Sequence, residues 1–315
     1  MSKANSKVLI TGSAGFVGGY LTEFLKSKGF NVFGTRMAHE RELPQTYVLD
    51  VNNIPNFEEV LTTVKPEMIF HLAGFSSVGQ SLEQAELCMK VNYEGTKNLL
   101  DSCRKICPEV KILIIGSSEV YGKPEFLPIT EEHPLKGENP YALSRIKQGT
   151  LLDEYKDLNT YWTRSFNHTG PGQKLGFVIP DFTSQIAKIK LDGKEKREKS
   201  KILVGNLNVE RDFSDVRDIV RGYYEILEKG EPHTFYNICS GKCIGLKEIM
   251  QKLIEIAGVN VEIVVDQAKY RPNDVLKYFG SYEKLEKQTG WKPEYSIDQT
   301  LTDTFNYWTK VLSNK

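Results

Sequence analysis

The sequence lacks a long apolar stretch and an excess of either charge. No run approaches the roughly 18 apolar residues that a membrane-spanning helix needs, and the polar start from Met1 to Lys7 is unlike a secretion signal. Lysine plus arginine and aspartate plus glutamate number 41 each, so the overall field attracts neither nucleic acid nor an anionic membrane. We therefore expect a cytoplasmic protein with no membrane or nucleic-acid partner, which holds any phosphate ligand with local groups.

Cysteine is also scarce. The chain has five cysteines, and an odd number argues against a disulfide framework. Cys103 and Cys107 stand four residues apart without a histidine or a second close pair near them, and the others are Cys88, Cys239 and Cys243. We therefore predict plain thiols in a reducing compartment and no metal site.

Short apolar runs alternate with segments of helical spacing from Lys7 to about Arg164. Residues 111–115 form a nearly unbroken β-branched run, which is typical of a strand buried on both faces of a parallel sheet. Strands that alternate with helices of about 10–15 residues predict βαβ units. Further strands are predicted at 8–10, 31–33, 46–49 and 68–72, and helices at 20–28 and 88–105.

The pattern changes after about Phe166, where prolines and glycines interrupt it. Helices are predicted at 219–227 and 246–257, strands at 201–204 and 261–265, and a solvated helix end or surface loop at 191–201. We expect an α/β fold in which residues 1–165 form a Rossmann doubly wound parallel sheet. Residues 166–315 are expected to form a smaller mixed α/β C-terminal lobe, from which the chain can cross back to the sheet.

A glycine-rich turn follows the first predicted strand. Gly12, Gly15 and Gly18 form the pattern G-x-x-G-x-x-G between that strand and a helix. Glycine lets the backbone turn sharply and lets a diphosphate approach main-chain N–H groups, while the helix N-terminus adds partial positive charge. The turn therefore predicts a dinucleotide site.

The end of the second strand bears on which dinucleotide is bound. An NAD-specific enzyme usually has an acid there for the ribose 2′-hydroxyl, but residues 33–36 contain none. Arg36 could bind the 2′-phosphate of NADP, stack on adenine or be a solvated loop residue. The sequence leaves both NAD and NADP open.

Several motifs together resemble those of the extended short-chain dehydrogenases/reductases. They are the glycine turn, Asp50-Val51, His71-Leu72-Ala73-Gly74, Asn92, the segment 116–122 (GSSEVYG) and the segment 140–144 (PYALS). The segments 164–172 (RSFNHTGPG) and 211–218 (RDFSDVRD) resemble the branch that acts on GDP-mannose derivatives. The likeness covers residues 7 to about 293 and is nearest to GDP-4-keto-6-deoxy-D-mannose reductases. GDP-mannose 4,6-dehydratases are more distant, and they usually carry Gln-Asp where this chain has Phe16-Val17.

The resemblance implies a bound NAD or NADP and a hydride transfer between nicotinamide and a sugar carbon. The residues that it assigns to the cofactor are Gly12, Gly15, Phe16, Val17, Gly18, Arg36, Asp50, Val51, Leu72, Ala73, Gly74, Tyr141 and Arg145.

The resemblance also implies catalytic roles for Tyr141, which would carry a proton on the sugar oxygen, and for Ser117, which would hydrogen-bond that oxygen. A free phenol has a pKa near ~10, so it needs a nearby cation to act at neutral pH. The family has a lysine four residues after this tyrosine, one helical turn away, whereas this chain has Arg145. Arginine holds a permanent charge but releases no proton. We therefore expect hydride transfer without a proton relay through residue 145.

Glu119 has two interpretations. It matches the base that removes the C5 proton in the 4,6-dehydratases, but reductases of this branch often carry a glutamate there too. It is therefore either an elimination base or a residue that positions substrate or holds a neighbouring side chain by a hydrogen bond.

The resemblance assigns the nucleotide sugar to the C-terminal lobe and to Ser118. Asn167 would contact the diphosphate, and Arg211 and Arg271 would reach phosphate and ribose oxygens, because a guanidinium grips phosphate with two hydrogen bonds. His168 is expected to be a packed or capping residue rather than a catalyst.

We therefore expect an NAD(P)-dependent oxidoreductase that acts at C4 of a GDP-linked sugar in the biosynthesis of cell-surface polysaccharide sugars. It would be a 4-keto-sugar reductase or a C4 dehydrogenase. The alternatives are a 4,6-dehydratase, an epimerase and, less favoured, a non-catalytic NAD(P) sensor. By analogy with relatives, we expect a homodimer or homotetramer formed through the helices predicted at 88–105 and 141–155.

Overall fold

Seven parallel strands form the central sheet of the computed structural model, which describes residues 6–193, 200–267 and 275–314. The strands are β1 (Lys7–Thr11), β2 (Asn31–Arg36), β3 (Thr46–Val48), β4 (Met68–His71), β5 (Lys111–Ser117), β6 (Asn159–Ser165) and β11 (Phe235–Ile238). Their order is β11-β6-β5-β4-β1-β2-β3. The chain builds one half outward from β1 and then returns to β4, so a crevice opens at the carboxyl ends of these two strands.

Helices cover both faces of this sheet. One apolar core lies between the sheet and the helices α1 and α9, and another lies between the sheet and α2, α5 and α7. The prediction of a Rossmann doubly wound sheet is therefore confirmed. The helices are α1 (Phe16–Ser27), α2 (Ile54–Val64), α3 (Val78–Ser81), α4 (Ala85–Met89), α5 (Gly95–Ile106), α6 (Pro140–Gly149), α7 (Leu151–Glu154), α8 (Val178–Asp192), α9 (Val216–Lys229), α10 (Leu246–Ala257), α11 (Glu283–Thr289) and α12 (Ile297–Ser313).

The helix predicted at 88–105 is not a single regular helix. A π-helical turn over Lys90–Glu94 separates α4 from α5. Such wider turns are often found at functional sites. Here the turn carries Asn92, whose side chain accepts a hydrogen bond from the Phe75 N–H at 2.8 Å and donates one to the Ser144 hydroxyl at 2.9 Å. The irregular turn thus joins α6 to the loop that follows β4.

The C-terminal lobe has a core of its own, made by α8, α10, α12 and a two-stranded parallel sheet. The chain crosses back to the large sheet through α9 and β11, which pairs with β6. Arg271 and most of the predicted surface segment 191–201 lie outside the described residues. The lobe strands are β7 (Asn167–Thr169), β8 (Ser200–Val204), β9 (Glu210–Arg211), β10 (Phe213–Asp215), β12 (Ile244–Gly245), β13 (Val261–Val265) and β14 (Lys277–Tyr278).

Candidate active site

A cleft of about 1940 Å³ opens at the carboxyl ends of the central strands, between the sheet and the C-terminal lobe. Every described residue that the sequence analysis assigned to cofactor, catalysis or substrate lines this cleft. Arg271 was assigned to substrate and lies outside the described residues. The remaining residues, from Gly12 at the first turn to Arg211 in the lobe, are thus brought to one place.

The glycine turn packs so closely that side chains would not fit at two of its positions. Gly12 has a φ of 71°, and a Cβ there would lie 3.0 Å from the backbone of Ala73. At Gly18, a Cβ would lie 2.4 Å from the Gly12 carbonyl oxygen. A Cβ on Gly15 would meet only that same oxygen at 3.2 Å, and its other surroundings are open. Gly12 and Gly18 therefore fix the turn by close packing, whereas Gly15 has open space beside it in the cleft.

The N-terminus of α1 at this turn carries partial positive charge without a compensating acid. Gly15 is the N-cap, no side chain caps the helix, and its first turn has no acidic residue. The turn is anchored to β2, because the Gly12 N–H donates to the Thr35 hydroxyl at 3.1 Å and the Ser13 hydroxyl donates to the Thr35 carbonyl at 3.0 Å. A turn at an uncapped helix N-terminus, with a glycine that has open space beside it, fits the diphosphate of a dinucleotide.

Arg36 lies at the end of β2 and lines the same cleft. Its Nη1 donates to the carbonyl oxygens of Met37 at 3.3 Å and Glu40 at 3.2 Å. Its Nε is buried and has no hydrogen-bond partner among the described residues. The Glu40 carboxylate accepts the Met37 N–H at 2.7 Å. Arg36 is therefore held by backbone oxygens through Nη1, and its buried Nε is left without a partner among the described residues.

Ser117 and Tyr141 both line the cleft, and each residue is more than nine-tenths buried. Ser117 ends β5, and Tyr141 stands in the first turn of α6. Asn139 caps this helix by accepting the Ala142 N–H at 2.8 Å, and its amide also donates to the Glu119 carboxylate at 3.3 Å. The cap that starts α6 therefore also holds the carboxylate of Glu119, which lines the same cleft.

Arg145 is one helical turn beyond Tyr141, with its guanidinium carbon 5.3 Å from the centre of the tyrosine ring. The side chain is 8% exposed. It donates to the carbonyl oxygens of Ile115 at 3.0 Å and Phe75 at 3.3 Å, and to the side-chain oxygen of Gln148 at 3.0 Å. All three of these acceptors are uncharged, and within the described part of the chain its Nε has no partner. The guanidinium of Arg145 therefore lines the cleft with its full positive charge, because the oxygens that hold it are neutral.

The lobe contributes the opposite wall of the cleft. Asn167 is exposed in β7, and Arg211 in β9 donates to the Val275 carbonyl at 2.6 Å. The next residue, Asp212, is fully buried and accepts hydrogen bonds from Ser240, Gly241 and Gly280. Burial raises the pKa of Asp212 to about 6. Asp212 therefore ties the strand that carries Arg211 to the edge of the large sheet.

His168 also lines the cleft. Its Nδ1 lies 3.0 Å from the Phe166 carbonyl oxygen, and because a carbonyl only accepts, this nitrogen donates. Burial lowers the pKa of the ring. A neutral histidine bound to the backbone agrees with a packing role.

Sequence reasoning missed Asn139, Gln148 and Tyr278 as parts of the site. Asn-Pro before a helix is a start signal that could have found Asn139. Gln148 could have been found from its spacing of three residues from Arg145. Tyr278 lines the cleft and its hydroxyl donates to the Ser118 carbonyl, a contact between distant segments that no local pattern reveals.

The described residues contain neither a cluster of metal-binding side chains nor a membrane-spanning helix. No group of three or more histidine, cysteine, aspartate or glutamate side chains could hold a metal ion. None of the helices described is long and apolar enough to cross a membrane.

Comparison with known proteins identifies the family. The family model described as GDP-mannose 4,6 dehydratase matches residues 9–304. The chain belongs to the GDP-mannose 4,6-dehydratase family. The resemblance inferred from the motifs is thereby confirmed, as is the prediction of an NAD(P)-dependent enzyme of the extended short-chain dehydrogenase/reductase type.

Three members and structures are especially similar. GDP-6-deoxy-D-mannose reductase of Pseudomonas aeruginosa is 32% identical over 308 residues, which cover 96% of this chain and 97% of the relative. Human GDP-mannose 4,6 dehydratase is 27% identical over 345 residues, covering 96% of this chain and 91% of the relative. The structure of RMD from Pseudomonas aeruginosa complexed with NADPH has a TM-score of 0.86 at 31% identity, and covers 97% of this chain and 99% of that one.

Proposed function

We propose that this chain is an NAD(P)H-dependent reductase of the C4 ketone of a GDP-linked 6-deoxyhexose. The observation that carries the proposal is that Ser117, Tyr141 and Arg145 line one cleft with the glycine turn and with Arg211. The similar bacterial protein named GDP-6-deoxy-D-mannose reductase supports the same substrate class. The opposite direction, C4 oxidation, uses the same groups, and we favour reduction because of that relative.

In this proposal one hydroxyl binds the reacting oxygen and a second hydroxyl protonates it. When bound, the nicotinamide supplies a hydride to C4. Ser117 donates a hydrogen bond to the C4 oxygen, which polarises the ketone. Tyr141 gives its phenolic proton to that oxygen, so that the C4 carbonyl becomes an alcohol and the phenol becomes a phenolate. The fixed charge of Arg145 stabilises this phenolate, and solvent returns the proton because a guanidinium releases none.

In this proposal the two halves of the chain bind different ligands. Residues 1–165 hold the dinucleotide, with its diphosphate at Gly12, Gly15 and Gly18 and with contacts from the rest of the glycine turn and the ends of β3 and β4. Residues 166–315, together with Ser118, hold the nucleotide sugar. There Asn167 and Arg211 bind the diphosphate, with Arg271 as a further phosphate or ribose contact inferred from the family motif alone.

NADPH is the cofactor that we favour. The end of β2 has Arg36 instead of an acid, and the buried Nε of Arg36 has no partner among the described residues. The Pseudomonas aeruginosa RMD structure contains NADPH. Arg36→Ala should therefore raise the Michaelis constant for NADPH and leave that for NADH nearly unchanged.

A 4,6-dehydratase remains the second candidate, because Glu119 lines the cleft beside Ser117 and is oriented by Asn139. Against it, the alignments to dehydratases run over 338 and 345 positions for a chain of 315 residues, so those proteins carry insertions. The alignment to the reductase, by contrast, runs over 308 positions. We therefore propose that Glu119 positions substrate in this chain.

Product analysis separates the candidates. A reductase oxidises NADPH with GDP-4-keto-6-deoxy-D-mannose and leaves GDP-mannose intact. A dehydratase removes water from GDP-mannose without net consumption of cofactor. An epimerase changes the stereochemistry of its substrate, again without net consumption. A sensor binds dinucleotide and converts neither sugar.

We also propose that the protein is a cytoplasmic homodimer or homotetramer. Leu87 on α4 and Leu143 on α6 are nearly half exposed, and these helices are neighbours. All five cysteines are free thiols, which supports a reducing compartment. Sedimentation of the wild type beside a Leu143→Glu variant tests the association, since a charge in an apolar interface should favour the monomer.

A further inference from the structure

A buried hydrogen-bond chain leads away from Arg145. Gln148 is 2% exposed and lies one helical turn after Arg145 on α6. Its side-chain oxygen accepts from Arg145 Nη1 at 3.0 Å, and its nitrogen donates to the Thr96 hydroxyl at 2.8 Å. The Thr96 hydroxyl in turn donates to the Asn92 carbonyl at 2.7 Å. Both ends of the Gln148 amide are therefore engaged, and its orientation is fixed.

The directions of the remaining hydrogen bonds follow from this start. Because the Thr96 hydroxyl proton is used on Asn92, the Thr96 oxygen can only accept from His71 Nε2, 3.2 Å away. A neutral imidazole has one N–H, so its Nδ1 accepts from the Thr11 hydroxyl at 2.8 Å. Thr11 then accepts the Ala73 N–H at 3.1 Å. Each of these hydrogen bonds thus has one donor and one acceptor, and Arg145 is the one charged member of this hydrogen-bond chain.

The neutrality of His71 agrees with this assignment. Burial, together with the nearby charge of Arg145, lowers the pKa of His71 to about 3. The titratable or charged groups around Tyr141 and Arg145 are His71 on β4, Cys88 on α4, Glu119 after β5 and Tyr223 on α9. On the outer side of α6, Lys147 lies over the ring of Tyr93 in the π-helical turn. Only Glu119 among these is an acid, and its hydrogen-bond partner is Asn139.

We propose that Gln148 is a positioning residue for Arg145, which allows an arginine to act beside Tyr141 while its charge stays uncompensated. The inference rests on the proposed function. Without Gln148, Nη1 of the guanidinium would keep only the Ile115 carbonyl as an acceptor, and the bulkier fork of arginine would have several orientations between Tyr141 and the cofactor. A carboxylate in place of the amide would hold the arm but neutralise the charge that stabilises the phenolate.

Two substitutions separate orientation from charge. Gln148→Leu removes the acceptor and should lower kcat at least tenfold and weaken NADPH binding at least fivefold. Gln148→Glu keeps the acceptor and adds a negative charge, so the fall of activity on the basic side should move to higher pH by about one unit. The control is Lys147→Gln, one position away on the outer side of the same helix. This substitution should leave kcat and NADPH affinity unchanged.

A double-mutant cycle with Arg145→Lys distinguishes positioning from general packing. A lysine has no second arm to place against Gln148, so Gln148→Leu should cost less than threefold in kcat in that background. An equal loss in both backgrounds, with an unshifted pH profile for Gln148→Glu, would overturn the proposal. If wild type fails to reduce the 4-keto sugar, the proposed function fails instead. NADPH affinity, measured by fluorescence, still tests Gln148 in that case, and an unchanged affinity in Gln148→Leu would contradict its role.

Discussion

The guanidinium carbon of Arg145 lies 5.3 Å from the ring centre of Tyr141, one turn apart on the same face of α6. This pair tests the catalytic assignment. Tyr141→Phe removes the only proposed proton donor and barely changes shape, so we expect turnover to fall by orders of magnitude. Arg145→Lys should remain active with a shifted pH profile, and Arg145→Ala should lose both turnover and cofactor affinity. Steady-state kinetics rank the variants, and wild-type kcat in Tyr141→Phe would exclude acid catalysis by this phenol.

The rim of the glycine turn provides the second prediction. Gly15→Val should abolish dinucleotide binding, because the new side chain would enter the space that we assign to the diphosphate. The backbone of Gly15 has a φ of −74°, which valine can adopt, so the fold should survive. Gly19→Ala is the matched control, since a Cβ there meets no atom within 4 Å. Cofactor titration by fluorescence checks both, and near wild-type affinity in Gly15→Val would remove the turn from the site.

Arg211 tests the role of the lobe. Arg211→Ala should raise the Michaelis constant for the nucleotide sugar and leave NADPH affinity nearly unchanged. Loss of a charge-assisted hydrogen bond should cost about 1.5–3 kcal/mol. Lys277→Ala on the neighbouring β14 is the control, because Lys277 pairs with Glu210 and does not line the cleft. A collapse of cofactor binding in Arg211→Ala would show that the two halves do not divide the ligands as we propose.

His71 should make the protein sensitive to acid. Its pKa is lowered from 6.5 to about 3 in the folded chain, so the unfolded state binds more protons between these values. Stability is therefore fully present above about pH 6.5 and is lost as the pH falls, by up to about 1.4 kcal/mol per pH unit. Urea unfolding at several pH values should show this slope. The slope should be smaller in His71→Gln, and an equal slope in both proteins would contradict the neutral assignment of His71.

Much of the fold follows from local patterns. The β-branched run at 111–115 and the glycine turn predicted a buried parallel strand and the strand–turn–helix unit, and both occur. The long helix at 88–105 was only partly right, because the break at Lys90–Glu94 depends on Asn92 bonding to distant segments. Strand β6 and helix α12 were missed, since the core around them comes from distant parts of the chain.

The site was predictable where residues form motifs and not where they meet only in space. Ser117, Tyr141 and Arg145 were assigned from the resemblance of their motifs to the family, and all three line the cleft. The sequence identified Arg145 as a departure from the usual lysine but gave no account of how its larger side chain is held. That account needs Gln148 together with the carbonyl oxygens of Ile115 and Phe75, and their arrangement depends on the packing of α6 against β5 and the loop after β4.

The most direct test of the reductase proposal is the fate of a labelled hydride. The protein is incubated with GDP-4-keto-6-deoxy-D-mannose and NADPH that carries deuterium at the transferable position, and the product is examined by NMR and mass spectrometry. We predict one NADPH consumed for each sugar, with deuterium bound to C4. Release of water from GDP-mannose with no net NADPH consumption, or no conversion of the 4-keto sugar, would contradict the account.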